Sequence, residues 1–495
     1  MPKWKSSLRF LIRPVEIKAF LSESGRQSRD GDKGGGMSLW RTICLVCVFC
    51  AREVVALPAQ VFKTLHSFDV TAGARPETGL VQGTDGNFYG TTFTGGANNG
   101  GTVFRITAQG TLTTLYNFCA QTGCADGYSP SVLVQATDGN FYGTAELGGA
   151  HKDGTVFKMT QAGMLTTLHS FDATDGKYST GGLVQATDGK FYGTTWFGGA
   201  HNYGTVFKMT QAGTLATLHS ILLTEGTYQK SGLVQASDGD FYGTAEYGGA
   251  NNDGTVFKIT PAGTLTMLHS FDGTDGYQPF AGLIQATNGN FYGTTYLGGA
   301  NHAGTVFVIT AGGDLTRLYS LCSHSGCSDG TGTYARLVQA TDGNLYGTTV
   351  DGGANGYGTV FKITAGGKLT TLHSFDGTEG ANPFAGLIQA TNGDFYGTTY
   401  AGGANGYGTV FSLSVGLGPF VQTLPTSGKV GTTVIILGNN LTGSTSVTFN
   451  GTAATFKVVS STEIKATLPK GATTGKVKVK TPSRTLTSNA NFRVR

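Results

Sequence analysis

The chain has 495 residues, of which 79 are glycine and only 12 are proline, and its formal net charge is +4. Scarce proline excludes a collagen-like protein, and 39% hydrophobic residues with 30 phenylalanines and 20 tyrosines exclude a disordered chain. Charged residues make up 13% of the chain, which is too few for a coiled coil or for long surface helices. Abundant glycine, threonine and aromatic residues instead predict an all-β protein with many tight turns.

The N-terminal segment differs in composition from the rest of the chain. Residues 1–36 are polar and basic, and we interpret them as an extension that results from a misassigned start codon. Residues 37–59 are typical of a signal peptide, because Arg41 precedes an apolar stretch at 42–51 and small side chains end at Ala56. This pattern predicts a secreted protein with no integral membrane segment after cleavage.

A pattern of the type Asp-Gly-Asn-Phe-Tyr-Gly-Thr recurs seven times between residues 60 and 417. Successive copies are 53, 50, 50, 50, 54 and 50 residues apart. Each period contains four short β-like runs, and periods of this length are typical of β-propeller blades. The copies begin at Asp85, Asp138, Asp188, Asp238, Asn288, Asp342 and Asn392.

The repeat that starts at Gly282 shows the predicted strand order. An apolar run from Leu283 is followed by a tight turn at Asn288 and Gly289, by a Phe-Tyr-Gly-Thr strand and by two further strands. The fourth-strand pattern already occurs at 61–68, whereas the last repeat ends after its third strand. We therefore predict a seven-bladed β-propeller whose N-terminal strand completes the last blade.

The repeats resemble the choice-of-anchor tandem-repeat (GloVer) family of bacterial surface and secreted proteins. The matching segments are the Asp-Gly-Asn-Phe-Tyr-Gly-Thr cores and the Gly-Gly-Ala and Gly-Thr-Val-Phe motifs, as at 248–257. Residues 418–495 are similar to an immunoglobulin-like IPT/TIG domain, with strands such as 431–438 and 462–469. The first resemblance implies a location outside the cell and brings no established activity. The second implies a spacer or a binding module with an immunoglobulin-like β-sandwich fold.

Charge is divided unevenly between the two predicted domains. Residues 60–417 contain 14 Lys and Arg against 24 Asp and Glu, a net charge of −10, and residues 418–495 contain 10 against one, a net charge of +9. Lys476, Lys478 and Lys480 alternate with valines and therefore share one strand face. They form either a solvated strand whose lysines prevent edge pairing, or a basic patch for an anionic partner such as a polysaccharide or the acidic propeller.

The two longer sets of loops in each blade are expected to emerge on one face, which makes that face the candidate binding surface. The residues just after the second strand vary among the repeats and supply aromatic rings and two glutamates. Such a rim is suited to stacking sugar rings and accepting hydroxyl hydrogen bonds, unless its side chains only pack the loops above them. The candidate ligand-binding residues are Phe93, Glu146, Trp196, Phe197, Glu246, Tyr247, Tyr296 and Tyr400.

No catalytic residue is predicted. Glu146 and Glu246 lie two blades apart, on the order of 15 Å from the spacing of strands, whereas glycosidase carboxyls are ~5–9.5 Å apart. Histidines at equivalent fourth-strand positions, such as His169, are expected to be satisfied between blades rather than to share a metal ion. Asp-x-Thr-Asp-Gly loops, as at 172–176 and 272–276, are expected to be turn caps, and calcium is the weaker alternative; no other cofactor is predicted.

The two longest repeat spacings coincide with pairs of cysteines, Cys119 with Cys124 and Cys322 with Cys327. In an exported protein, this spacing predicts a local disulfide in each enlarged loop. The alternative is a thiolate metal site that includes His324.

These patterns favour a secreted or cell-surface protein that binds a polysaccharide or another cell-surface molecule through the long-loop face, without catalysis. A lyase or glycosidase with its site at the central mouth is the first alternative, and a purely structural repeat protein is the second. Nucleic acid is not an expected partner.

Overall fold

The computed structural model describes residues 60–495. The predicted extension at 1–36 and the predicted signal peptide at 37–59 lie outside the described residues. Strands and turns dominate the described part, in which the helical segments are two short 3-10 turns, Thr122–Cys124 and Ser325–Cys327. Between residues 60 and 495 there is no helix of the length and apolarity that crossing a membrane requires.

The repeat region contains strands β1 to β29. They are β1 (Val61–Ser67), β2 (Val81–Gln82), β3 (Phe88–Thr92), β4 (Thr102–Ile106), β5 (Leu112–Asn117), β6 (Tyr128–Pro130), β7 (Val134–Gln135), β8 (Phe141–Leu147), β9 (Thr155–Met159), β10 (Leu165–Ser170), β11 (Val184–Gln185), β12 (Phe191–Thr194), β13 (Thr205–Met209), β14 (Leu215–Ser220), β15 (Val234–Gln235), β16 (Phe241–Ala245), β17 (Thr255–Ile259), β18 (Leu265–Ser270), β19 (Ile284–Gln285), β20 (Phe291–Thr295), β21 (Thr305–Ile309), β22 (Leu315–Ser320), β23 (Val338–Gln339), β24 (Leu345–Thr349), β25 (Thr359–Ile363), β26 (Leu369–Ser374), β27 (Ile388–Gln389), β28 (Phe395–Thr399) and β29 (Thr409–Ser414).

These strands form seven antiparallel sheets, one for each repeat, which we number 1 to 7 in chain order from β2. Each sheet runs from the first strand of its repeat to the fourth, and sheet 2 carries the additional short strand β6 beside β8. In sheet 7 the fourth strand is β1, which pairs antiparallel with β29 and places Val61 opposite Ser414. The predicted pairing of the N-terminal strand with the last repeat is therefore confirmed.

Glycines of the repeated core have specific steric roles, as sheet 5 illustrates. Gly289 has a φ of 87° in the turn between the first two strands, a conformation that glycine adopts at little cost. At Gly293, an added Cβ would lie 2.5 Å from the ring carbon Cζ of Phe307 on the neighbouring strand. The glycine of the Tyr-Gly-Thr motif thus makes room for the phenylalanine of the Thr-Val-Phe motif.

Glutamine side chains of the first strands link neighbouring sheets. Gln135 in sheet 2 accepts a hydrogen bond through its side-chain oxygen from the backbone N–H of Thr84 in sheet 1, at 3.0 Å. The same bond recurs between each sheet and the next. The seventh bond, from the N–H of Thr391 to Gln82 at 3.0 Å, connects sheet 7 with sheet 1.

Hydrophobic cores lie between neighbouring sheets. Consecutive sheets share clusters of buried Phe, Tyr, Leu and Val side chains, and one further cluster contains Leu80 and Phe88 of sheet 1 together with Tyr396 of sheet 7. The Phe88 and Tyr396 rings stack with centroids 4.0 Å apart. Repeated four-stranded sheets joined in this way are typical of a propeller-like repeat fold.

The C-terminal part is a separate β-sandwich. Its strands are β30 (Gln422–Leu424), β31 (Ser427–Gly428), β32 (Thr433–Leu437), β33 (Ser446–Phe449), β34 (Thr452–Ala453), β35 (Phe456–Val458), β36 (Glu463–Thr467), β37 (Val477–Lys480), β38 (Thr485–Thr487) and β39 (Arg493–Val494). Two four-stranded sheets, β30-β32-β36-β35 and β34-β33-β37-β38, enclose a core that includes Ile436, Phe449 and Val479.

The lysine-bearing strand β37 lies between β33 and β38. The expectation that its lysines prevent edge pairing is therefore wrong, because β37 has a paired neighbour on each side. Val477 and Val479 are buried in the core, whereas Lys478 and Lys480 are exposed. Lys476 is half-buried and donates to the carbonyl oxygen of Asn489, and burial lowers its pKa.

The sandwich contacts the repeat region on the side where the Asp-Gly turns emerge. Side chains of the sandwich donate hydrogen bonds to backbone carbonyls next to these turns in sheets 1, 3, 4, 6 and 7. The donor–acceptor pairs are Thr462 with Thr84, Arg495 with Thr187, Arg493 with Ser237, Asn489 with Gln339 and Gln422 with Gln389. The sandwich therefore spans this side of the repeat region, with the positive domain against the negative one.

Candidate functional site

One recurring backbone arrangement holds the predicted rim positions. In the loop that leads into each repeat, one residue has a left-handed conformation, and in six of seven repeats it is not glycine. In six repeats its carbonyl accepts a hydrogen bond from the rim residue after the second strand, as from Tyr296 to Gln278 at 3.0 Å. Such conformations cost about 1–3 kcal/mol and persist where the surrounding structure enforces them, often at binding sites. These residues are Arg75, Ser129, Tyr178, Tyr228, Gln278, Gly332 and Asn382.

Lys230 joins side chains from three consecutive repeats. Its ammonium Nζ lies 3.2 Å from Oε2 of Glu246, whose side chain is only 6% exposed. The same atom lies 4.5 Å from the ring centroid of Trp196 and 4.8 Å from that of Phe280. One lysine therefore neutralises a buried carboxylate and makes cation–π contacts with two rings.

A continuous set of rings, the aromatic arc, lies on the side of Lys230 that faces sheets 5 to 7. Phe280 and Tyr334 stack with centroids 4.6 Å apart, and Tyr296 lies 4.6 Å from Tyr334. Every member is half-buried, so each ring keeps some surface that solvent reaches. The aromatic arc consists of Phe280, Tyr296, Tyr334, Phe384 and Tyr400.

On the opposite side of Lys230, Trp196 belongs to a second group of rings. Phe197 lies 4.9 Å from Trp196 and 4.9 Å from Tyr228, and Tyr228 lies 5.8 Å from Tyr247. The indole Nε1 of Trp196 is buried and has no hydrogen-bond partner among the described residues. The half-buried ring of Trp196 contacts Lys230, Phe197 and Tyr228.

Three carboxyl groups surround this centre. Burial raises the pKa of Glu246 and of Glu146, and Lys230 partly offsets the rise in both. Burial and the neighbouring Glu146 together raise the pKa of Glu77 to about 7, although Arg75 and Lys230 oppose the shift. Arg75 also lies over the ring of Tyr400, 5.5 Å from its centroid. The rim thus combines acidic, basic and aromatic groups within one surface.

The structure brings Trp196 and Glu246 together through Lys230, which also opposes the rise that burial causes in the pKa of Glu146, and it places Tyr296 and Tyr400 in the aromatic arc. Phe93 is half-buried, and its backbone N–H donates to the carbonyl of Arg75 at 3.0 Å. Sequence reasoning missed a second variable position, which lies three residues before the leucine that immediately precedes each first strand. The residues at this position are Glu77, Pro130, Thr180, Lys230, Phe280, Tyr334 and Phe384. Their variation among the seven repeats is the same signal that identified the rim residues, and it is visible in the sequence.

Four fourth-strand histidines and the acidic loops have structural partners. His169, His219 and His269 each lie 2.7 Å from a carboxylate six residues further on, and His373 pairs with Glu379 in the same way. In the Asp-x-Thr-Asp-Gly loop of Asp172, its oxygen Oδ1 accepts hydrogen bonds from the backbone and side chain of Thr174. In the described part of the chain, no group of three or more His, Cys, Asp or Glu side chains is arranged to hold a metal ion.

Both predicted disulfides are confirmed, Cys119 with Cys124 and Cys322 with Cys327. A buried aspartate follows each of them and organises the enlarged loop. Asp126 accepts hydrogen bonds from the hydroxyl of Tyr116 at 2.9 Å and from two backbone N–H groups. In the ordinary repeats, a fourth-strand histidine pairs with a carboxylate six residues further on. In the two enlarged loops, a tyrosine takes the place of that histidine and pairs with an aspartate ten residues further on.

A family model described as the Gloeobacter/Verrucomicrobia repeat matches residues 54–237 and 229–456, and the IPT/TIG domain model matches 420–494. The chain belongs to the Gloeobacter/Verrucomicrobia repeat family. The predicted resemblance to this family, with a C-terminal IPT/TIG domain, is confirmed. None of the curated protein sequences matches the chain.

Solved structures resemble this family member only distantly. The extracellular domain of a hybrid two-component system from Bacteroides thetaiotaomicron is 11% identical, with a TM-score of 0.48, 88% of this chain covered and 59% of that one. PorZ, a surface component of the type-IX secretion system of Porphyromonas gingivalis, is 14% identical, with a TM-score of 0.45 and coverages of 87% and 60%. A periplasmic gluconolactonase of Pseudomonas aeruginosa is 19% identical, with a TM-score of 0.44 and coverages of 67% and 96%. Similarity at this level gives no information about the activity of this chain.

Proposed function

We propose that the seven sheets close into a seven-bladed propeller and that its rim binds a saccharide outside the cell without catalysis. The observation that carries this proposal is the aromatic arc, five half-buried rings from three successive repeats. Aromatic faces that keep some solvent contact are suited to stacking against the apolar faces of sugar rings. Such a surface needs no flexible segment, because strained loop residues already hold the rings in place.

Polar groups beside the aromatic arc supply the second requirement of sugar recognition. The carboxyls of Glu77 and Glu146 accept hydrogen bonds when ionised, and Arg75 and Lys230 donate them. Two disulfides are typical of proteins that fold in an oxidising compartment, which supports a location outside the cytoplasm. Together these features favour a secreted or surface-exposed binding protein.

A glycan-array screen of the exported protein, followed by titration of the best ligand, tests the proposal. We expect Tyr296→Ala to weaken binding roughly thirty-fold, which corresponds to the loss of one well-packed stacking ring. Tyr357→Ala is the matched control, because Tyr357 is 45% exposed and lies outside the aromatic arc. Absence of saccharide binding, or equal effects of the two variants, would contradict the proposal.

A second candidate is a hydrolase or lyase whose acid–base group is Glu77. The pKa of Glu77 is raised to about 7, and Glu146 contributes to this rise. Enzymes use such carboxyl pairs to keep one group protonated while the other is ionised. The test is turnover of the glycan that the array identifies, measured between pH 5 and pH 9. Turnover that Glu77→Gln abolishes while binding remains would favour the enzyme over the binding protein.

A further inference from the structure

The residue just before the leucine of each first strand is glycine in five of the seven repeats, namely Gly79, Gly182, Gly232, Gly282 and Gly386. At these positions neighbouring repeats approach closely. A Cβ at Gly232 would lie 2.3 Å from the carbonyl oxygen of Gly181, and one at Gly386 would lie 2.6 Å from that of Arg336. At Gly232 and Gly386, a side chain would therefore clash with the backbone of the neighbouring segment.

Arg336 occupies the equivalent position in sheet 6. Its side chain is exposed to solvent, yet the surrounding protein lowers the pKa of its guanidinium through burial. Both observations hold together if the side chain extends into a water-accessible channel along the axis of the repeats. Arg336 thus places a positive charge among residues that are otherwise glycine, apart from Val132.

The guanidinium of Arg336 forms no hydrogen bond or ion pair with any residue between 60 and 495. By contrast, Arg317 donates to the carbonyl of Thr274, and Arg493 donates to that of Ser237. A surrounded, unpaired guanidinium favours an anionic ligand, and its fork geometry matches a carboxylate.

The channel is accessible from one side. The sandwich donates hydrogen bonds to turn carbonyls of five different sheets, so it covers the centre of the turn side. The opposite side carries the aromatic arc. Tyr334 precedes Arg336 by two residues in the same loop, and the chain bends at Ala335 between them.

We propose that the ligand is the terminus of a saccharide that bears a carboxylate, such as a uronic acid. This inference rests on the proposed function and names its ligand class. The terminal sugar ring stacks on the aromatic arc, to which Tyr334 belongs, and its carboxylate pairs with Arg336. Because the sandwich covers the far end of the channel, a chain end enters it, whereas an internal segment of a polymer does not.

The test uses the full exported protein and an array of uronate-terminated oligosaccharides beside their methyl esters, which differ mainly in charge. We expect the free acids to bind at least ten-fold more tightly than the esters. Arg336→Gln should weaken acid binding roughly thirty-fold and leave ester binding unchanged. Arg317→Gln, which removes an arginine outside the channel, serves as the matched control and should change neither.

The outcomes separate the two proposals. Equal binding of acids and esters would overturn the inference and leave the proposed function standing, whereas failure of every saccharide to bind would remove both. Long uronate polymers should compete in proportion to their chain ends, and competition in proportion to total uronate would overturn terminal recognition. Since Arg336 has no partner among the described residues, Arg336→Gln should not lower the melting temperature. A lower melting temperature with unchanged affinity would assign Arg336 a structural role.

Discussion

Replacement of Lys230 by methionine should destabilise the protein far more than its exposure suggests. Lys230 is 32% exposed, but its partner Glu246 is 6% exposed and would retain an uncompensated charge. Breaking a buried ion pair costs about 3–5 kcal/mol, and the partial exposure of the lysine reduces the expected loss to about 2–3 kcal/mol. The substituted side chain keeps similar volume between the rings of Trp196 and Phe280, so lost packing contributes little.

Lys158 provides the matched control. Its ammonium lies 3.3 Å from Asp138 and its side chain is 33% exposed, but this aspartate is 26% exposed rather than 6%. Lys158 also lies over an aromatic ring, that of Tyr142, at 5.7 Å. Lys158→Met should therefore cost less than about 1 kcal/mol, as solvated ion pairs do. The comparison isolates the burial of the acidic partner.

Urea unfolding of both variants, followed by tryptophan fluorescence and circular dichroism, measures the difference. Combining Lys230→Met with Glu246→Gln should recover most of the loss, because no unpaired charge then remains buried. If the two lysine variants lose the same stability, or if the double variant recovers nothing, the buried charge does not control stability and the reasoning is refuted.

Three further predictions concern other groups. Between the ordinary pKa of 4.5 and the folded-state pKa of about 7, the folded protein holds the Glu77 proton that the unfolded chain releases, so stability falls across this pH range and stays lower above pH 7. Glu77→Gln should then raise the melting temperature at pH 8 and leave it unchanged at pH 5, and a fall at pH 8 would contradict this. The imidazole Nε2 of His66 is buried and has no hydrogen-bond partner within the described range 60–495, and Ala72 occupies the position at which other repeats supply a carboxylate. Ala72→Asp should stabilise the protein by about 1 kcal/mol in thermal melting, and no gain would show that the carboxylate cannot reach. Replacing Cys119 and Cys124 by serine should cost about 2 kcal/mol, because the disulfide closes a short loop; unchanged urea unfolding would argue against this contribution.

Much of the architecture follows from local sequence signals. The Phe-Tyr-Gly-Thr and Thr-Val-Phe motifs combine strand-forming residues with glycines that neighbouring rings require, so strand order was predictable for each repeat. The unpaired fourth-strand pattern at 61–68 also predicted the pairing of β1 with β29. The cysteine pairs were predictable for the same reason, because five residues of separation leave little freedom in how the chain closes the loop.

The site depended on contacts between repeats. Lys230 meets Glu246 within its own repeat, but Trp196 and Phe280 come from the preceding and following ones, about 34 and 50 residues away. The packing of neighbouring sheets decides which side chains meet. The spacing of residues in the sequence does not predict the distances between side chains of different sheets. For the same reason the pKa of Glu77 could not be read from its surroundings in the chain.

Sequence alone determined the seven repeats, their strands, the disulfide loops and the opposite charges of the two domains, since each depends on residues close together or on simple composition. Only the tertiary structure decided that Lys230 fills the space beside Trp196, that Arg336 has no partner among residues 60–495 and that the sandwich covers the turn side. Burial and electrostatic compensation are properties of the assembled surroundings, and they arise when residues distant in the chain exclude water from the same place.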